Sequence, residues 1–130
     1  MSTKSASTQI LRPGNFVTTS TTWVEVPGSN YIFRKPVSNA ALISYTFTFL
    51  STGVMGFYCN LGINTGQMIP YTNGFSAITS LGVPDTRTIT YKLNNYTSDE
   101  VRISLFIKLQ SGILLISGDN PGLIIAFEEH

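Results

Sequence analysis

Apolar side chains recur at every second position through much of this chain. Ile43, Tyr45, Phe47 and Phe49 fall on one parity, with Ser44, Thr46 and Thr48 on the other. After Ser51-Thr52-Gly53 the pattern resumes: Phe57, Cys59, Leu61 and Ile63 are apolar, while Gly56, Tyr58, Asn60 and Gly62 are small or polar. Val101, Ile103, Leu105, Ile107 and Leu109 give the cleanest run, and Ile89, Tyr91 and Leu93 another. A period of two is the signature of a strand with one face in a core. Shorter candidates lie at 10–11, 16–17, 22–26, 31–34, 67–71, 75–79, 113–116 and 123–127, punctuated by Pro13-Gly14, Pro27-Gly28, Asn73-Gly74 and Pro121-Gly122. No segment of helical length carries a 3.6-residue period. The pattern predicts an all-β protein, a two-sheet antiparallel β-sandwich of jelly-roll type with about 8 to 10 strands.

The last two candidate strands break the alternation. Ile113-Leu114-Leu115-Ile116 and Leu123-Ile124-Ile125-Ala126-Phe127 are apolar on both parities, a pattern that belongs to sheets covered on both faces. One face packs on the sandwich interior; the other requires a second chain or a wide loop lying across it. With Leu123, Ile125 and Phe127 turned inward, Ile124 and Ala126 are left for a subunit interface. Phe106 joins them as a candidate, since it shares its parity with Arg102, Ser104 and Lys108 and would otherwise stand in solvent.

The chain has 130 residues, enough for one domain with a substantial core. The expected organisation is a flexible polar arm over residues 1–9 and a single jelly-roll domain over 10–130. Charged residues are 12% of the chain, about half the usual share, and the formal net charge is +1. The polar surface is therefore built from Ser, Thr, Asn and Gly, which suits contact with other protein. Nucleic acid is not an expected partner, because such binding draws on clustered Lys and Arg. No apolar run reaches the roughly 18 residues of a membrane span, and no signal peptide is expected at Met1 to Ser7.

Catalytic groupings are sparse. His130, the only histidine, is the last residue and reads as a terminal group rather than a general base, and Cys59 is the only cysteine, so no His-assisted nucleophile is expected and no thiolate metal cluster can be assembled from one chain. Asp99-Glu100 and Glu128-Glu129 are adjacent carboxylates, which point to opposite faces of a strand. No cofactor, metal or catalytic activity is expected. Asn95-Tyr96-Thr97 matches a glycosylation sequon and reads as a chance match in a turn. A weaker constellation is made by Tyr71, Asn73, Phe75, Asn95 and Tyr96, whose rings and amides suit glycan recognition, although turns contain such residues anyway.

The stretch Phe16-Val17-Thr18-Thr19-Ser20-Thr21-Thr22-Trp23-Val24-Glu25-Val26-Pro27-Gly28 resembles the opening of small jelly-roll modules of bacteriophage structural proteins. Ala41 to Phe49, Val101 to Leu109 and Leu123 to Glu128 resemble their later long strands, and the whole is similar to the trimeric C1q/TNF-like jelly roll. The resemblance implies a homotrimeric virion structural protein, a capsid decoration or a head or tail appendage, made in the host cytoplasm and bound to other virion proteins. The alternative is a carbohydrate- or receptor-binding module directed at a host surface glycan.

Overall fold

The computed structural model describes residues 6–34, 40–51, 53, 56–63, 67–68, 75–78, 83–94, 100–119 and 122–129. They form twelve strands: β1 (Ala6–Leu11), β2 (Phe16–Thr18), β3 (Val24–Glu25), β4 (Tyr31–Arg34), β5 (Ala40–Ser51), β6 (Gly56–Ile63), β7 (Gln67–Met68), β8 (Phe75–Ile78), β9 (Asp85–Asn94), β10 (Glu100–Leu109), β11 (Leu114–Ser117) and β12 (Leu123–Glu129). All pairings are antiparallel.

Several strands are successive stretches of one interrupted row, and the twelve reduce to eight rows. In sheet A, β1 and β2 make a row that pairs with the row of β12 and β11; that row lines one edge of β5, whose other edge carries β9. In sheet B, β4 and β3 line one edge of β10, which pairs with β6, and β6 carries β8 and β7 beyond it. Counted along the chain, sheet A has rows one, eight, three and six, and sheet B rows two, seven, four and five. This is the double Greek key of a jelly roll. β5 and β6, consecutive in sequence, belong to different sheets, so the chain crosses the sandwich between them.

The interruptions in sheet A interlock. The chain leaves the sheet at Arg12–Asn15 and again after Ser117, and Gly118 lies against the first excursion. The amide of Gly118 donates to Asn15 Oδ1 at 3.1 Å, and a β-carbon on Gly118 would stand 1.8 Å from the Gly14 carbonyl oxygen. Only glycine allows that approach.

The core lies between the sheets. From sheet A come Ile43, Tyr45, Phe47, Phe49, Ile89, Leu114, Ile116, Leu123 and Ile125; from sheet B, Phe57, Cys59, Leu61, Val101, Ile103, Leu105, Ile107 and Leu109. The rings of Phe49 and Phe57 meet across the sandwich at 4.8 Å, near edge-to-face. One polar link crosses the core: the Tyr45 hydroxyl donates to the Ser29 carbonyl at 2.7 Å, and Ser29 Oγ accepts from the Leu105 amide at 3.0 Å. Ser29, fully buried in the break between β3 and β4, thereby supplies the partner that the interrupted row withholds from β10.

Two expectations change. Residues 6–9 lie in β1, paired with β12, so the chain joins sheet A at Ala6 rather than at Ile10; Ala6-Ser7-Thr8-Gln9 carries no apolar alternation that would have marked it as a strand. On sheet B the parity opposite the core is not uniformly solvated. Asn60 and Ser104 are buried there, and Asn60 Oδ1 accepts from the Leu61 amide at 2.8 Å.

Candidate interaction surfaces

Directly paired residues share a face, so the register fixes what each sheet shows on its outer side. On sheet A one row across the face reads Thr8, Ala126, Ser44, Thr90, and the next reads Ile10, Ile124, Thr46, Thr88. Toward the other end, Ser117, Thr48 and Thr86 align, followed by Val17, Leu115 and Leu50. The face thus divides in two. Its β5–β9 half is a ladder of hydroxyls that bond one another: Thr46 with Thr88 at 2.8 Å, Thr48 with Thr86 at 3.3 Å and Ser44 with Thr90 at 3.4 Å. The rest of the face carries the apolar groups, with Thr8 and Ser117 among them. Ile10 is 50% exposed and Val17 56%, with Ile124, Ala126, Leu115 and Leu50 half-buried. Among the described strand residues, charge enters this face only at one end, with Lys92 and Glu128 beside Leu42.

The outer side of sheet B is built from larger groups. Ser20 bends the chain out of β2: its amide donates to Thr18 Oγ1 at 3.0 Å, its Oγ donates to the Thr22 carbonyl at 2.8 Å, and its carbonyl accepts from the Leu109 amide at 2.9 Å. That brace delivers Trp23 beside β10, one residue ahead of β3. The Lys108 ammonium then lies 5.8 Å from the Trp23 ring centroid and 5.7 Å from that of Tyr58 on β6, within the range of cation–π attraction. Gln110 donates an amide N–H to the Tyr58 hydroxyl at 3.2 Å. Further along the face, Glu25 is paired with Phe106 and accepts from the Asn30 amide at 3.4 Å.

The three interface candidates are not brought together. Ile124 and Ala126 are neighbours on the outer face of sheet A, whereas Phe106 stands on the outer face of sheet B, at the opposite side of the sandwich. It is not stranded in solvent: its ring lies over Gly62, where a β-carbon would come within 2.3 Å of Cε2. Of the glycan candidates, Tyr71, Asn73, Asn95 and Tyr96 lie outside the described residues, and Phe75 is described only as backbone, opposite Cys59 in the β6–β8 pair. The Trp23, Lys108 and Tyr58 grouping was not anticipated. Its signal is legible in retrospect, because Tyr58 and Lys108 occupy the outward parity of their strands and Trp23 is the sole tryptophan.

Titratable groups in the interior are held neutral. Burial pushes the Cys59 thiol up to about 12, an effect that the Arg87 charge only partly opposes; such a thiol is a poor nucleophile. Burial likewise raises the Tyr45 phenol well above its ordinary value, against the lowering effect of its bond to Ser29. Among the described residues no three His, Cys, Asp or Glu side chains gather as metal ligands, and no helix is long and apolar enough to cross a membrane.

No protein-family model matches the chain, and no curated protein matches it in sequence. Solved structures do match in shape. Murine APRIL aligns over 97% of this chain and 100% of its own, with a TM-score of 0.51 and 16% identity. The infectious bursal disease virus Gx strain structure aligns over 98% of this chain, which spans 36% of that one, with a TM-score of 0.48 and 11% identity. A CBM4 structure aligns over 79% of this chain and 56% of its own, with a TM-score of 0.40 and 15% identity. At such identities a likeness is one of fold alone; the strand order itself makes the chain a jelly-roll β-sandwich, and the likeness to murine APRIL agrees with it.

Proposed function

We propose that this chain is a non-enzymatic structural module of a virus particle, assembled as a homotrimer through the outer face of sheet A. The observation that carries the reading is the set of apolar residues on that face, where Ile10, Ile124 and Ala126 lie on adjacent rows and Val17, Leu115 and Leu50 recur beyond the row of Ser117 and Thr48. Apolar residues gathered on one outer face are a common mark of a contact site. The hydroxyl ladder beside them eases burial in part, because each bonded pair has one of its two protons already placed.

Ala126 suits a threefold assembly, since a methyl group lets neighbouring chains approach closely at an axis. The virion assignment rests on the likeness of Phe16 to Gly28 and the later long strands to phage jelly-roll modules, and the low charge fits a surface that meets protein. The absence of catalysis is supported by the neutral, buried Cys59 and by carboxylates such as Glu25, Asp85 and Asp119 that stand apart on separate elements.

Light scattering on the purified chain tests the assembly. The expected mass is near three times 14.2 kDa, falling to the single-chain value in Ile124→Asp. A parent that stays monomeric at micromolar concentration refutes the trimer.

A further inference from the structure

Trp23, Lys108 and Tyr58 stand on a sheet face that the proposed assembly does not use. Lys108 is flanked by the two rings, and among the described residues its ammonium contacts them and no carboxylate. All three side chains are half-buried, so each keeps part of its surface open to solvent. The rings sit on the rows either side of β10 and are therefore about 10 Å apart, two inter-strand spacings. Lys108 stands between them, so a ligand one to two pyranose units long meets all three side chains from the solvent side. Beside it, Tyr58 accepts from the Gln110 amide, which leaves the phenolic proton and the Gln110 carbonyl oxygen available to a ligand.

We infer that this grouping binds an acidic saccharide, a pyranose bearing a carboxylate. The chemistry matches part by part. The apolar C–H face of a sugar ring packs on the Trp23 indole. The carboxylate pairs with the Lys108 ammonium, and this charge-assisted bond is strengthened by the low-dielectric rings beside it. Hydroxyls of the sugar meet Tyr58 and Gln110. A neutral sugar leaves the lysine without its anion, and a small anion leaves the rings without a stacking partner; the site therefore distinguishes carboxylated sugars from both. Sialic and uronic acids share the required chemistry.

Trp23 is the only tryptophan in the chain, so intrinsic fluorescence reports on the site directly. The full chain is titrated with sialyllactose, with a glucuronic acid methyl glycoside, with lactose and with acetate, and saturation-transfer NMR is run in parallel. The expected result is saturable binding of one or both acidic sugars with a Kd on the order of 1 mM. Lactose and acetate should give no saturable response. The two acidic probes identify which acid the site prefers. Lys108→Met should weaken binding about tenfold while the far-ultraviolet spectrum remains that of the parent, and added salt should weaken the parent's binding in the same direction. If Lys108→Met fails to fold, the salt series and Tyr58→Ala read the same site. The inference is overturned if neither acidic sugar saturates, if lactose or acetate binds equally well, or if binding is indifferent to both salt and Lys108. None of these readouts depends on the oligomeric state, so a failed trimer and a failed sugar site are separate results.

Discussion

The two outer faces of the sandwich are made by the same rule of alternation and end as different surfaces. Sheet A shows small hydroxyls, an alanine and a few aliphatic groups, so its relief is low and its polar atoms bond within the face. Sheet B shows Trp23, Tyr58, Phe106 and the long side chain of Lys108, so its relief is high, and Lys108 and Tyr58 keep part of their surface open to solvent. A low, internally bonded surface suits broad contact with another folded chain, while a rough one with a few spaced anchors suits a small ligand. The contrast separates the two roles assigned above.

The largest expected effect breaks the comparison if it fails. Ile124→Asp on sheet A should place an unpaired charge in an interface and weaken association by several kcal/mol, about 3 to 5. Ile32→Asp on sheet B, where Ile32 is already 44% exposed, should leave the mass unchanged. Equal dissociation by both variants, read by light scattering, would show that the faces are not distinct in assembly.

Next in size is Gly62→Ala. The new methyl group would stand 2.3 Å from Phe106 Cε2, so the ring must move, and the cost should be about 1 to 3 kcal/mol in urea unfolding. Ala126→Ser on sheet A, which adds a hydroxyl to an open position, should change monomer stability by less than about 0.5 kcal/mol.

A third test addresses the core beneath both faces. The folded-state Cys59 thiol titrates near 12, above its unfolded value of about 8.5. Below about pH 8.5 the thiol is protonated in both states and its contribution is fully present. As pH rises the unfolded chain releases the proton first, so stability should fall by about 1.4 kcal/mol per pH unit until the folded thiol titrates. Cys59→Val should flatten this part of the alkaline profile, measured as urea midpoints between pH 8 and 11; an unchanged slope would rule the thiol out as its cause.

The smallest effect sharpens the picture of sheet A. In a double-mutant cycle, Thr46→Val and Thr88→Val should couple by about 0.2 to 1 kcal/mol, the range of cross-strand pairs. A coupling of zero in chemical denaturation would mean that water serves those hydroxyls as well as they serve each other.

Much of the fold was legible because burial and alternation coincide. Every odd position from Ala41 to Phe49 and from Val101 to Leu109 is buried, as the apolar pattern requires. The same argument put Leu123 and Ile125 inside and Ile124 and Ala126 outside, where they stand. Pattern was silent on which rows pair. It could not show that β1 continues into β2 through an excursion, because Ala6 to Gln9 carries no apolar alternation to mark it as a strand paired with β12. Nor could it separate the two outer faces: Phe106 and Ile124 are alike as outward apolar residues, and only the register puts them on opposite sides. The aromatic grouping escaped notice for a related reason. Trp23, Tyr58 and Lys108 come from three distant segments, and nothing local announces that β10 runs between β3 and β6.

Sheet A sets a limit on how this chain can fold in time. Ala6 pairs with Glu128 and Leu11 with Leu123, residues more than 110 positions apart, and β5 waits for β12 and β11 on the same edge. Non-local pairings of this kind place a protein among slow folders, on the scale of milliseconds to seconds. While the chain is being synthesised, the row that closes sheet A does not yet exist, and β1 and β5 have unpaired edges. Sheet B needs only residues up to Leu109 for its described rows, so it can form first. The face proposed for assembly is then the last part to be completed, and subunits cannot join prematurely through a surface whose central row has yet to be made.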